Sequence, residues 1–251
     1  MTISRTTLAV ALAATILGLA ASLPARAAEE APVVVELFTS QGCSSCPPAD
    51  AYLGELTKRA DVIALTFPVD YWDYLGWKDT LASPANTLRQ QTYAARRGDG
   101  QVYTPQMVID GQVDAVGSRR SQVESAIASL RAKKAGQWVP VKVMVKGDAV
   151  MVTAEGHESA RDQSATLWLA TFTREARVAI RRGENSGREI TYHNVVRQMM
   201  PIGRWSGKPV SIELPKSDIM GQGYDGCAVI LQTNGTGPII GAGLIDDWMG
   251  N

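Results

Sequence analysis

The hydrophobic pattern changes its period near the middle of the chain. Val33-Val34-Val35-Glu36-Leu37-Phe38 is an almost unbroken β-branched and apolar run, which a strand buried on both faces requires. Pro47-Pro48-Ala49-Asp50 opens a helix, because proline is tolerated in a first turn, and Tyr52, Leu53 and Leu56 follow at helical spacing. Val62 to Val69 predicts a second buried strand. A loop carrying Tyr71, Trp72, Tyr74 and Trp77 then leads to a helix from about Pro84 to Arg97. Thr104-Pro105 precedes a strand, Gln106 to Ile109, and Asp110-Gly111 predicts a hairpin turn into Gln112 to Val116. A last helix, Ser118 to Lys134, sets Val123, Ile127 and Leu130 on one face. The predicted order is β-α-β-α-β-β-α.

After Gly136 the helical period disappears. Val139, Val141, Val143 and Val145 alternate with Pro140, Lys142, Met144 and Lys146, the signature of a strand with one buried face. Gly147-Asp148 turns the chain into Ala149 to Ala154. Further strands are expected at Ala165–Thr173, Arg177–Arg181, Ile190–Val196, Val210–Leu214, Ala228–Thr233 and Ile239–Ile245, with Asn234 to Gly237 as a turn between the last two. Short strands punctuated by turns predict an all-β, sandwich-like unit. The expected organisation is therefore an α/β domain over residues 31–136 and a β-sandwich-like domain over 137–251.

Residues 1–27 stand apart. Arg5 supplies a positive charge, Leu8 to Leu23 form an apolar stretch, and Ala25-Arg26-Ala27 fits a small-x-small cleavage site, together the pattern of a cleaved secretory signal. A membrane anchor is the competing reading, but the run is short and ends at Pro24. No later segment is apolar enough to span a bilayer, so no stable membrane insertion is expected after cleavage. The expected location is periplasmic or secreted, where thiols meet oxidising conditions. Hydrophobic residues make up 45% of the chain and charged ones 20%, as in a folded soluble protein. Twenty-five basic residues balance twenty-five acidic ones, and without a basic excess a nucleic-acid partner is not expected.

Three cysteines are too few for a disulfide scaffold, but two lie in Gly42-Cys43-Ser44-Ser45-Cys46, between a buried strand and a helix start. Amide groups and the dipole at a helix N-terminus stabilise a thiolate. A two-residue spacer lets the second sulfur close on the first. Thiol–disulfide exchange needs both an attacking thiolate and a resolving thiol.

Residues 33–134 resemble a thioredoxin fold, with Cys43-x-x-Cys46 after the first strand and Thr104-Pro105 before the third. The wording Val35-Glu36-Leu37-Phe38-Thr39-Ser40-Gln41-Gly42-Cys43-Ser44-Ser45-Cys46-Pro47-Pro48-Ala49-Asp50, with Tyr71-Trp72-Asp73-Tyr74-Leu75-Gly76-Trp77 and Tyr103-Thr104-Pro105-Gln106, resembles a narrower group. That group consists of secreted bacterial thioredoxin-like proteins known only as a domain of unknown function. The resemblance implies a cis Pro105 against which a partner's backbone docks, Cys43 as nucleophile and Cys46 as resolving thiol. It also implies fold and export but no substrate; the expected activity is dithiol–disulfide exchange with another protein, with no organic cofactor or metal required. Glu36 sits near the place of a buried acid that relays protons in thioredoxin-like enzymes, although one residue further from the first cysteine. A strand glutamate at a sheet edge or hydrogen-bonded in place is the equal alternative. Two departures stand out. Gly42 replaces the usual tryptophan, and Pro47 directly after Cys46 shifts the helix start so that Cys43 stands further from the dipole.

The same residues admit other readings. The pair can form an inert bridge that stiffens the strand–helix turn, which would leave a non-catalytic envelope binding module. Two thiolates can also handle Cu(I). A zinc site would have to draw on His157, His193 and Cys227, which lack zinc-site spacing. Cys227 opens an apolar strand and reads as a small buried hydrophobe or as a third redox thiol. The Tyr71–Trp77 segment either floors a groove beside the cysteines or covers a sheet edge.

Overall fold

A computed structural model describes residues 31–134, 136–158, 164–220 and 224–245; the expected signal, residues 1–27, lies outside the described residues. The fold is mixed α/β. Its first part runs β1 (Val33–Thr39), α1 (Pro47–Leu56), β2 (Val62–Pro68), a 3₁₀ turn at Asp73–Leu75, α2 (Pro84–Arg97), β3 (Gln106–Ile109), β4 (Val113–Val116) and α3 (Arg120–Lys133). The second part contains β5 (Val141–Lys146), β6 (Ala149–Ala154), β7 (Ala165–Ala179), β8 (Glu189–Trp205), β9 (Val210–Pro215), the short α4 (Lys216–Met220), β10 (Gly226–Thr233) and β11 (Ile239–Ile245).

Eight strands form one sheet in the order β11-β10-β7-β8-β2-β1-β3-β4, and β5-β6-β9 form a smaller one. Residues 31–136 and 137–251, expected as separate domains, thus contribute strands to the same sheet. The join is narrow. β2 and β8 run parallel and register only at Thr66 with Val195. Side chains complete it: Thr66 Oγ1 donates to the His193 carbonyl at 2.6 Å, and Asn194 Nδ2 donates to the Ala64 carbonyl at 3.0 Å. The segments expected at Ala165–Thr173 and Arg177–Arg181 are one strand, β7. It pairs along β8, with register shifts at Leu167/Trp168 and Thr171/Phe172 that upset simple alternation.

β1 is buried along its whole length, because its two faces serve different cores. Val33, Val35 and Leu37 meet Leu53 and Leu56 of α1 and Ile127 of α3. On the other face, Val34 and Phe38 meet Tyr93 of α2 and Ile230 of β10. The alternation predicted for β5 holds: Val141 joins Val150 and Val152 against Leu167, Leu169, Val229 and Leu231, so the small sheet packs over β7 and β10. A fourth cluster, Ile180, Ile190, Tyr192 and Val195 with Trp77 and Leu81, anchors the far end of the β7–β8 hairpin.

Candidate functional site

The cysteine loop follows β1 and enters α1. Cys43 and Cys46 form a disulfide with Cα atoms 5.5 Å apart. Helix α1 begins at Pro47 with Cys46 as its N-cap, and Cys46 already has helical dihedrals, φ −77° and ψ −37°. Its carbonyl accepts from the amides of Ala49 and Asp50, at 2.8 and 3.1 Å. Cys43 stands outside the first turn, as the Pro47 departure predicts, so the helix terminus serves Cys46 more directly. Both cysteines are buried, Cys43 at 2% exposure and Cys46 at 0%, while Ser44 and Ser45 between them are exposed. Ser45 Oγ lies 3.4 Å from Cys43 Sγ.

Two segments hold this loop, residues 72–79 and the hairpin between β7 and β8. Asp79 accepts from the Gln41 amide at 2.7 Å, and Trp77 Nε1 donates to Gln41 Oε1 at 2.7 Å. Trp72 covers Gly42 so closely that a Cβ there would lie 3.0 Å from the Trp72 Cβ, so a side chain at position 42 would have to push Trp72 aside by a few tenths of an ångström. The hairpin between β7 and β8 completes the cover. Asn185, fully buried, donates from Nδ2 to the carbonyls of Gln41 and Cys43, at 3.0 and 2.9 Å. Its own Oδ1 accepts from Arg188, and Glu184 accepts from the Ser44 amide at 3.2 Å.

Pro105 is buried and its peptide bond with Thr104 is cis. The antiparallel register of β1 and β3 sets Phe38 opposite Gln106, so Pro105 lies at the sheet end where β1 runs into the cysteine loop. Gln90 supports this segment from α2, donating to the Tyr103 carbonyl and to Gln106 Oε1, both at 2.8 Å.

Glu36 belongs elsewhere. It points to the α2 face of β1, opposite the face on which α1 packs, where Oε1 accepts from Arg89 Nε at 2.6 Å and Oε2 accepts from the Tyr93 hydroxyl. Gln232 of β10 closes this network, accepting from Arg89 and donating to Tyr93. Of the two readings of Glu36, the hydrogen-bonded strand carboxylate is the one realised.

The buried acid next to the cysteines is Asp50, four residues after Cys46. It is 2% exposed, and neither carboxyl oxygen has a hydrogen-bond partner among the described residues. Burial pushes its pKa up to about 8; Thr39, close by but outside hydrogen-bond geometry, pulls the other way, and Asp79 adds to the rise. The signal was present in the sequence as a carboxylate one turn beyond Cys46 on a face shared with Leu53, but a first-turn acid also reads as an ordinary complement to the helix dipole.

The remaining candidates are dispersed. Cys227 is fully buried in the core between the two sheets, where burial pushes its thiol up to about 12, fitting the hydrophobe reading. His193 packs its ring against Gly54 of α1, and His157 Nε2 lies 3.0 Å from the Gly136 carbonyl. Among the described residues no three His, Cys, Asp or Glu side chains group as metal ligands. Tyr71 and Trp72 pack onto the core, whereas Tyr74 is 78% exposed and stacks on Trp72.

Residues 34–232 match the model of a family described as proteins of unknown function, DUF1223. The chain belongs to that family. It is also similar to protein AGR_C_4864 from Agrobacterium tumefaciens, a structural genomics target, with 36% identity, a TM-score of 0.79, and coverage of 89% of this chain and 98% of that one. HBP35 of Porphyromonas gingivalis is similar in fold alone, at 13% identity and a TM-score of 0.56, over 88% of this chain and 77% of that one. No curated protein matches the sequence. Family membership brings no activity with it, so the chemistry has to be argued from the cysteine loop.

Asn185 offers the most direct test of how that loop is held. Asn185→Ala removes both bonds to the loop carbonyls and is expected to destabilise the protein by about 1–3 kcal/mol. It should also speed reduction of the disulfide by dithiothreitol. Urea unfolding and thiol release measure the two effects; no change in either would mean that the clamp is idle.

Proposed function

We propose that this chain is an exported thiol–disulfide oxidoreductase, thioredoxin-like in its first part, which exchanges a dithiol or disulfide with a protein partner through Cys43 and Cys46. The observation that carries the reading is the Cys43–Cys46 bridge at a strand-to-helix turn, with the resolving position capping α1 and Pro105 at the same sheet end. A partner thiolate attacks Cys43 Sγ, forms a mixed disulfide and displaces Cys46 as the leaving thiolate. The partner's second thiol then releases Cys43. The partner dithiol loses two electrons and becomes a disulfide, and the cysteine pair gains them. The opposite direction uses the same steps in reverse.

The near-complete burial of both cysteines and the Asn185 clamp favour a second reading, a structural bridge in a binding module. The reduction potential separates the two. Equilibration with a glutathione or dithiothreitol redox buffer, read by alkylation and mass spectrometry, is expected to open the bridge reversibly between roughly −120 and −270 mV. A bridge that stays closed below about −300 mV is structural, and the oxidoreductase reading then fails.

A further inference from the structure

A cleft of about 710 Å³ opens beside the turn between β3 and β4, within the roughly 300–1,000 Å³ usual for small-molecule sites. Asp110, two residues before Gln112 at its rim, bonds to Val34 at the start of β1, whereas the cysteine loop leaves from the other end of that strand. The floor is apolar: Leu130 of α3 and Ile239 of β11 are buried, and Trp138 and Ile240 are half-buried. The rim is polar and exposed, with Arg96 from the last turn of α2, Lys133 from the last turn of α3, and the amides of Gln112 and Gln137. We propose that this cleft binds a small organic carboxylate with an aromatic body, its charge held by Arg96 and Lys133 and its ring laid on the apolar floor. The inference goes beyond the exchange reading and does not depend on it, since no cysteine lines the cleft.

Charge supports the assignment first. Among the described residues, no carboxylate lines the cleft, and neither Arg96 nor Lys133 has an ion pair. The acids nearby in the chain are engaged elsewhere. Asp110 receives Lys134 Nζ at 3.0 Å, Asp99 pairs with Arg97, and Asp114 accepts from the Tyr103 hydroxyl and from Gln106. A cation in the last turn of a helix complements the helix dipole, but the dipole gives no reason for cations from two helices to share one cleft with an indole. A guanidinium presents paired donors that match a carboxylate, which selects that group as the anion.

Shape supports it next. Trp138 is only half-buried, and Lys134 Nζ, fixed by Asp110 and the Pro32 carbonyl, lies 4.0 Å from its ring centroid. An indole held in this way offers a ring surface on which a second aromatic ring can stack. The walls are also set without a ligand. The Ile239 amide donates to the Asp110 carbonyl at 2.9 Å, tying the β3–β4 turn to β11. Gly111 comes so close to the β10–β11 turn that a Cβ there would lie 2.4 Å from the Gly237 carbonyl oxygen. The Val139 amide donates to the Ile240 carbonyl at 2.8 Å, which seats the residue after Trp138 on β11. A ligand thus meets a formed cleft and loses little to ordering it.

The test titrates the full chain with naphthoate in a calorimeter at fixed ionic strength, beside naphthalenemethanol as the neutral analogue and inorganic phosphate as the bare anion. Naphthoate is expected to bind with a Kd of roughly 1 mM or below, and each comparator at least about tenfold more weakly. Arg96→Gln and Lys133→Gln are each expected to weaken naphthoate about tenfold, and Trp138→Leu by about the same factor. Both cations are exposed, so their variants should keep the native urea midpoint, which separates lost binding from lost folding. If Trp138→Leu does not fold, the two cation variants decide alone. The proposal is overturned if naphthoate fails to bind at about 10 mM or binds no better than the neutral alcohol. Unchanged affinity in the double variant Arg96→Gln/Lys133→Gln, or in folded Trp138→Leu, overturns it as well. So does phosphate binding as tightly as naphthoate, because the apolar floor would then contribute nothing.

Discussion

Arg89→Met is expected to lower the stability of the folded chain by about 3–5 kcal/mol, the usual effect of leaving one member of a buried ion pair alone. Glu36 is fully buried and its carboxylate receives the Arg89 guanidinium at 2.6 Å, with the arginine side chain only 9% exposed. Without Arg89 the carboxylate keeps the Tyr93 hydroxyl and no cation. The loss reaches further than one pair, because Arg89 Nη2 also donates to Tyr93 and to Gln232 Oε1, at 2.8 and 2.9 Å, and its guanidinium lies over the rings of Tyr93 and Phe67. These contacts tie α2 to β10, residues 143 positions apart in the chain. The double variant Glu36→Gln/Arg89→Met is expected to recover much of the loss, since the unpaired charge is then gone. Urea unfolding of the two singles and the double measures this directly. A double variant no better than Arg89→Met would show that packing of the arginine stem, rather than charge pairing, carries the stability.

The second large effect is on pH dependence. Asp50 titrates near 3.8 when exposed and near 8 in the folded chain. Below about pH 4 both states hold the proton and this group contributes no slope. Between about 4 and 8 the unfolded chain has released the proton and the folded chain keeps it, so stability falls as pH rises. The slope approaches about 1.4 kcal/mol per pH unit within that window, and above 8 it vanishes. Asp79 and Asp110, whose pKa values are also raised mainly by burial, tilt the curve in the same direction. Lys134, lowered by burial, tilts the curve the opposite way below its unfolded pKa. Asp50→Asn removes one titration and leaves the others. Its stability measured against native protein at pH 5, 6.5 and 8 should therefore improve progressively with pH. Parallel curves would show that Asp50 is already ionised in the folded protein.

The parts of the fold that lie close together in sequence were legible and the distant joins were not. The continuous apolar run at Val33–Phe38 and the prolines at 47 and 48 define β1 and the start of α1 without help from elsewhere, and the alternating valines define β5. The shared sheet was not visible, because β2 and β8 meet through one register pair and through Thr66 and Asn194, polar side chains that no periodicity marks. The bulges in β7 broke the alternation that would have revealed a fifteen-residue strand. The site divides in the same way. Cys43, Cys46 and Pro105 were readable from local wording, whereas Asn185 acts on the loop from 142 residues away. Asp50 was in plain view, but only burial distinguishes it from an ordinary helix-capping acid, and burial is a property of the assembled chain.

That distance orders events during synthesis. The cysteines emerge with the first fifth of the chain, whereas Glu184 and Asn185 are made some 140 residues later, and a chain that leaves the ribosome N-terminus first exposes them in that order. Until β7 and β8 have paired and their tip has swung onto Gln41 and Cys43, both sulfurs face whatever oxidant surrounds the nascent polypeptide. The bridge can thus close on an open chain, before the hairpin tip has covered the loop that carries it.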